Sequence, residues 1–230
     1  MAIGRTMPAA LAGGRSRHRI RRRSRRTHPW HLAAGLCLLV GLLLIDAFTY
    51  SMWKGVAEEE RLTNAWRNEI ITRIDLRTPA PQGIDTSLQR PINGVDFAIR
   101  VPKLHYYAAV KEGTDSGILY ASPGHYPATK WPGSPGTVGV AAHNVYWIDF
   151  PQLARGDEVD IETRYGLYRY MVTGNEIVNP DNRTVLVPNS NGYHLTLTTC
   201  WPLWAGAFAR QRFVVFADQI WPVPVKPDHS

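Results

Sequence analysis

The sequence predicts an all-β domain of about eight short strands, preceded by one N-terminal helix able to span a membrane. Three observations carry this expectation. From Gly94 onward, runs rich in Val, Ile, Thr and Tyr recur between clusters of Gly, Pro, Asn and Asp, the rhythm of a closed barrel or a sandwich. Before them, Trp30 to Trp53 is a 24-residue stretch with a single carboxylate, Asp46, close to the length a bilayer needs. Ahead of that stretch, residues 1–29 hold nine arginines and no Asp or Glu.

The basic tail accounts for the charge of the chain. Removing its nine arginines from the 26 basic residues leaves 17 against 19 acidic ones, a net of −2 where the whole chain carries +7. The folded part is therefore nearly neutral, which argues against nucleic acid as its partner. A cluster of arginines beside an apolar span sets orientation: residues 1–29 form a cytoplasmic tail, and the C-terminal domain lies outside the cell membrane.

Within the span, Leu32 to Ile45 is uninterrupted and apolar, aromatic residues sit at both ends, and no A-x-A-like cleavage site follows. These features favour a retained single-pass anchor over 30–53 rather than a cleaved signal peptide. As a helix it reaches roughly 36 Å, with Asp46 near the outer headgroups. Cys37 falls inside the span and so has no route to Cys200. With two cysteines in all there is no disulfide framework.

Residues 54–93 read as a juxtamembrane helix and linker. Leu62, Trp66, Ile70 and Ile74 recur every four residues and form one apolar stripe, suited to packing on the domain, a partner or the lipid surface, the domain first among them. The linker RTPAPQGIDTSLQRPIN has no period. The domain, 94–222, then runs through VDFAIRVP, YYAAV, TVGVAAHN, EVDIET, LYRYMVTG, NEIVNP, HLTLTTC and RFVVFA, each read as a strand. GHYPATKWPGSPG, Gly124 to Gly136, is too rich in Gly and Pro for a strand and is read as a loop or short-turn segment. Residues 223–230 are a tail.

The chemistry gathers around HLTLTTCWP, His194 to Pro202. Alternation of apolar and polar residues makes this a half-buried strand that delivers Cys200 to its end, where a side chain faces a cleft. A lone cysteine on an apolar strand is more often a small buried hydrophobe than a nucleophile. Here TLTTC is followed, twelve residues after Cys200, by Arg212 at the head of RFVVFA, and His143 in AAHN precedes it by 57 residues. Attack on a peptide carbonyl needs a nucleophile, a proton carrier and a group to receive oxyanion charge. Cys200, His143 and Arg212 supply those three types. Arg210 competes with Arg212, since both project to one face under period-2 alternation.

TLTTC fits the TLxTC signature of the sortases, and with His143 and Arg212 in order the chain resembles that family of cysteine transpeptidases from roughly Val95 to Asp218. GHYPATKWPG, GDEV and the compact spacing after Cys200 are most similar to its class D and class E branches. The resemblance implies an eight-stranded sortase β-barrel behind the anchor. It implies a thioester between Cys200 and a threonine carbonyl, cleavage of a C-terminal LPxTG-like signal at Thr-Gly, and transfer to an amine on the cell wall or a pilin. Its partners would be surface proteins that carry such a signal. Ala142-His143-Asn144 departs from the G-H-R that many members have around the histidine.

Thr199, Trp201, Trp204 and His125 are the expected substrate contacts. Thr199 adjoins the nucleophile, the two tryptophans offer faces to a proline or leucine side chain, and His125 lies in a segment able to line the groove. No cofactor is expected; some sortases use calcium, but no acidic cluster obliges it here. Two other readings stay open at this point: a thiol peptidase that only hydrolyses its acyl-enzyme, and a catalytically silent surface binding module.

Overall fold

The computed structural model describes residues 29–73, 86–189 and 191–223. The chain divides into two compact units, Met1–Asp46 and Ala47–Ser230. Residues 1–28, Ile74, the linker as far as residue 85 and the tail from 224 lie outside the described residues.

In the first unit, residues 29–46 are helical. Leu36, Leu39, Leu43 and Ile45 are all 60% exposed or more, and the helix is long and apolar enough to cross a membrane. This is the beginning of helix α1 (Pro29–Arg73).

The second unit is a closed barrel. Its strands are β1 (Val95–Val101), β2 (Tyr106–Glu112), β3 (Gly124–His125), β4 (Gly136–Ala142), β5 (Glu158–Thr163), β6 (Gly166–Val178), β7 (Tyr193–Trp201) and β8 (Gln211–Trp221). They close in the order β1-β2-β3-β4-β7-β8-β6-β5. The count of eight is as expected, but two of its members differ. LYRYMVTG and NEIVNP form one strand, β6, because the register shifts between Val172 and Gly174: the glycine marks a bulge inside a strand rather than its end. The eighth strand is β3, inside the segment read as a loop. It pairs parallel with β2 and antiparallel with β4. A Cβ on Gly124 would lie 2.1 Å from the Gly113 carbonyl oxygen, so a backbone this close needs glycine.

β1 is buried along nearly its whole length, on both faces. One face points into the barrel, where Phe97, Ile99 and Val101 join Val140, Ile161, Leu195, Leu197 and Val215. Leu62, Trp66 and Ile70 of α1 are 5%, 2% and 2% exposed and belong to the same core. Fully burying such side chains stabilises by roughly 1.5–3 kcal/mol each. Thr63 Oγ1 also accepts a hydrogen bond of 3.0 Å from the Ala109 amide of β2. The stripe therefore packs as part of the barrel.

Candidate active site

Three adjacent strands build the site. β4 and β7 run parallel with Ala142 opposite Thr199, so His143, just past the end of β4, and Cys200, next on β7, follow that pair side by side. β7 and β8 run antiparallel with Cys200 directly opposite Arg212. Opposed residues in such a pair share a face, with Cβ atoms roughly 4.5–5.5 Å apart. Cys200 thus stands between histidine and arginine, at the end of the barrel where β4 and β7 stop and β8 begins. It is a free thiol, partly buried. Arg210 precedes β8 and is exposed, so period-2 alternation did not apply to it.

Two hydrogen bonds brace this arrangement from either side. The hydroxyl of Thr199, before the cysteine, donates at 2.9 Å to the carbonyl of Ala142, before the histidine. The side-chain amide of Asn144, after the histidine, donates to the carbonyl of Leu203, beyond the cysteine. Asn144 is 5% exposed, so its polar group is committed to this contact. Sequence reasoning noted Asn144 only as a departure; the signal for its role was its place beside His143.

The electrostatics support a proton-accepting histidine. Desolvation holds the His143 imidazole below its ordinary range, and the positive charge of Arg212 pushes in the same direction. Both favour the neutral ring, the form that can take a thiol proton. The Arg212 guanidinium donates at 3.0 Å to the carbonyl of Gln211.

The expected substrate contacts fare differently. Thr199 is 3% exposed with its hydroxyl spent on Ala142, which leaves it a bracing role. Trp201 is partly buried and packs at 5.8 Å on Phe213. Trp204 is 88% exposed. His125 does not line the groove: it is 2% exposed, with Nδ1 2.8 Å from Asp96 Oδ2 and Nε2 3.1 Å from the Lys130 carbonyl. Its pairing within β3 turns the ring inward against Phe97 and Trp131. Asp96, its partner, carried no signal in the sequence beyond an acidic residue in an apolar strand. Among the described residues no group of three or more His, Cys, Asp or Glu is placed to hold a metal ion.

A closed eight-stranded barrel that gathers cysteine, histidine and arginine at one end has the layout of a cysteine transpeptidase. The Sortase domain matches residues 99–220, more than half of the chain, and the chain belongs to the sortase family. It is 24% identical over 123 residues to Sortase D of Bacillus subtilis, covering 53% of this chain and 62% of that relative's length. The Clostridium perfringens Sortase D5 transpeptidase superposes with a TM-score of 0.59 at 21% identity, covering 71% of this chain and 99% of that one, a likeness of fold. Sortase E1 of Streptomyces coelicolor, solved with a tripeptide in its active site, superposes with a TM-score of 0.51 at 25% identity, over 59% of this chain and 94% of that one.

Proposed function

We propose that this sortase cleaves a C-terminal LPxTG-like sorting signal at Thr-Gly and passes the acyl group to an amine on the cell wall or a pilin. It would do so as a single-pass membrane protein with its N-terminus in the cytoplasm. The observation that carries the reading is the register that sets Cys200 between His143 and Arg212.

The neutral His143 takes the thiol proton of Cys200, and the thiolate attacks the threonine carbonyl carbon. Arg212 is paired with Cys200 across β7 and β8, and its guanidinium donors would stabilise the negative charge that develops on the carbonyl oxygen. The intermediate collapses to a Cys200 thioester as the C–N bond breaks, and His143 returns its proton to the departing glycine amine. An incoming amine then attacks the thioester, forms a new amide and restores the thiol. Arg212 cannot serve as the base because it stays protonated. No step calls on a metal; whether calcium orders a loop is a matter for the same assay with and without chelator.

The test is incubation of the full chain in detergent with LPxTG-like and LAxTG-like peptides plus a glycine amine, read by mass spectrometry beside Cys200→Ala. A Cys200-dependent acyl-enzyme that converts to amine-ligated product is expected. Acid as the sole product would replace transpeptidation with hydrolysis. Turnover that survives Cys200→Ala would remove the site altogether, and an inert chain would leave a surface binding module.

A further inference from the structure

Between Val95 and Trp221 the four most exposed large apolar residues lie in the two segments that follow His143 and Cys200. Val145 and Ile148, in the turn after His143, are 50% and 63% exposed; Trp204 and Phe208, in the turn after Cys200, are 88% and 86% exposed. The Asn144 to Leu203 bond holds the two turns together. Two aromatic side chains left this bare within one five-residue segment mark an interaction surface rather than ordinary exposure.

The same unit contains the outer end of the apolar stretch. Tyr50 and Trp53 are 62% and 66% exposed and have the position of an interfacial aromatic belt. Between them, Ser51 Oγ lies 2.9 Å from the Tyr120 hydroxyl, which also donates to the Ser51 carbonyl. Gly55 is buried against the same place: a Cβ there would meet Tyr146 Oη at 2.7 Å and the Tyr120 carbonyl at 2.8 Å. Tyr146 in turn donates its hydroxyl to the Tyr120 carbonyl and its amide to the His143 carbonyl. These contacts join the segment around the belt to the turn that follows His143. Lys54 and Arg210, both exposed, add positive charge suited to anionic headgroups.

We propose that Val145, Ile148, Trp204 and Phe208 dock on the headgroup layer of the bilayer, so that the cleft opens at the membrane face. This rests on the reading of Trp30–Trp53 as a span. On it, Trp204 and Phe208 are interfacial anchors rather than walls of a peptide groove. The cysteine takes its substrate at the lipid surface.

The full chain, reconstituted in nanodiscs of phosphatidylcholine and phosphatidylglycerol, is compared with the same discs made from lipid brominated near the headgroup end of its chains. The Trp204 signal is the difference between the parent and Trp204→Phe. Bromine is expected to lower it at least about twofold, as for interfacial rings, and the discs should shield it from acrylamide. In a second reporter, Trp204→Phe/Phe208→Trp, the signal moved to position 208 should be quenched likewise. The chain has eight tryptophans, so the signal of Trp30 and Trp53, which reports the span itself, is taken as the difference between the parent and Trp30→Phe/Trp53→Phe. If they are quenched and neither position 204 nor 208 is, docking is refuted while the anchor stands; if they too are untouched, the anchor reading fails and docking with it. A Trp204 signal that answers to sorting peptide and not to bromine makes it a groove wall and overturns the proposal.

Discussion

Asn144→Ala tests whether the brace between the two active-site turns matters to chemistry. The substitution deletes the side-chain donor to the Leu203 carbonyl. A hydrogen bond of this kind contributes about 0.5–1.5 kcal/mol net, and if that is spent on holding Cys200 against His143, kcat/KM falls by about 2- to 13-fold. Asn144→Asp keeps the shape but sets an acceptor against an acceptor, and its negative charge beside His143 favours the imidazolium. It should be worse than alanine and should move the acidic limb of the pH profile upward. The assays are peptide turnover, site-resolved alkylation of Cys200, and urea unfolding of each variant. Turnover within twofold of the parent for Asn144→Ala, or an Asp variant no worse than the Ala variant, would refute the reasoning. So would a loss of turnover that follows the unfolded fraction alone.

Other outcomes follow from the same geometry. Because Arg212 helps to depress the His143 pKa, Arg212→Ala should move the acidic limb of kcat/KM to higher pH, whereas Arg212→Lys should leave the limb in place while lowering turnover. For stability the sign is fixed: between the lowered folded pKa and 6.5 the unfolded chain binds more protons, so this contribution grows as pH rises through that window and is lost below it. Calorimetry across that range checks it. Trp66→Ala, at a residue 2% exposed, should cost about 3–5 kcal/mol in urea unfolding. Gly124→Ala should destabilise the barrel as well, since its methyl would meet the Gly113 carbonyl at 2.1 Å; a melting temperature equal to that of the parent would contradict the close approach.

What the sequence revealed, and what it hid, divides along the range of the interactions. Cys200 was legible because alternation over His194–Thr199 is local: it states that a strand ends there and which face its residues share. The helical stripe was legible for the same reason, and Leu62, Trp66 and Ile70 are buried as their spacing implied. The pairing that makes a site of them is not local. β4 meets β7 in parallel across some fifty residues, with no hairpin turn to set its register, so the resemblance to a family supplied what periodicity could not.

His125 shows the limit most clearly. Two residues cannot display a period, and Gly124–His125 sit among prolines and glycines that signal a loop. Yet a strand of two residues is enough to join β2 to β4 and close the barrel, because each neighbour is already held on its other edge. Once inserted there, the histidine ring has no path to solvent, and Asp96 becomes its partner from a strand buried on both faces. A histidine expected to line the groove is thus enclosed in the barrel wall instead. His143, plain in sequence beside an unusual Asn144, is the one that the parallel register sets next to Cys200.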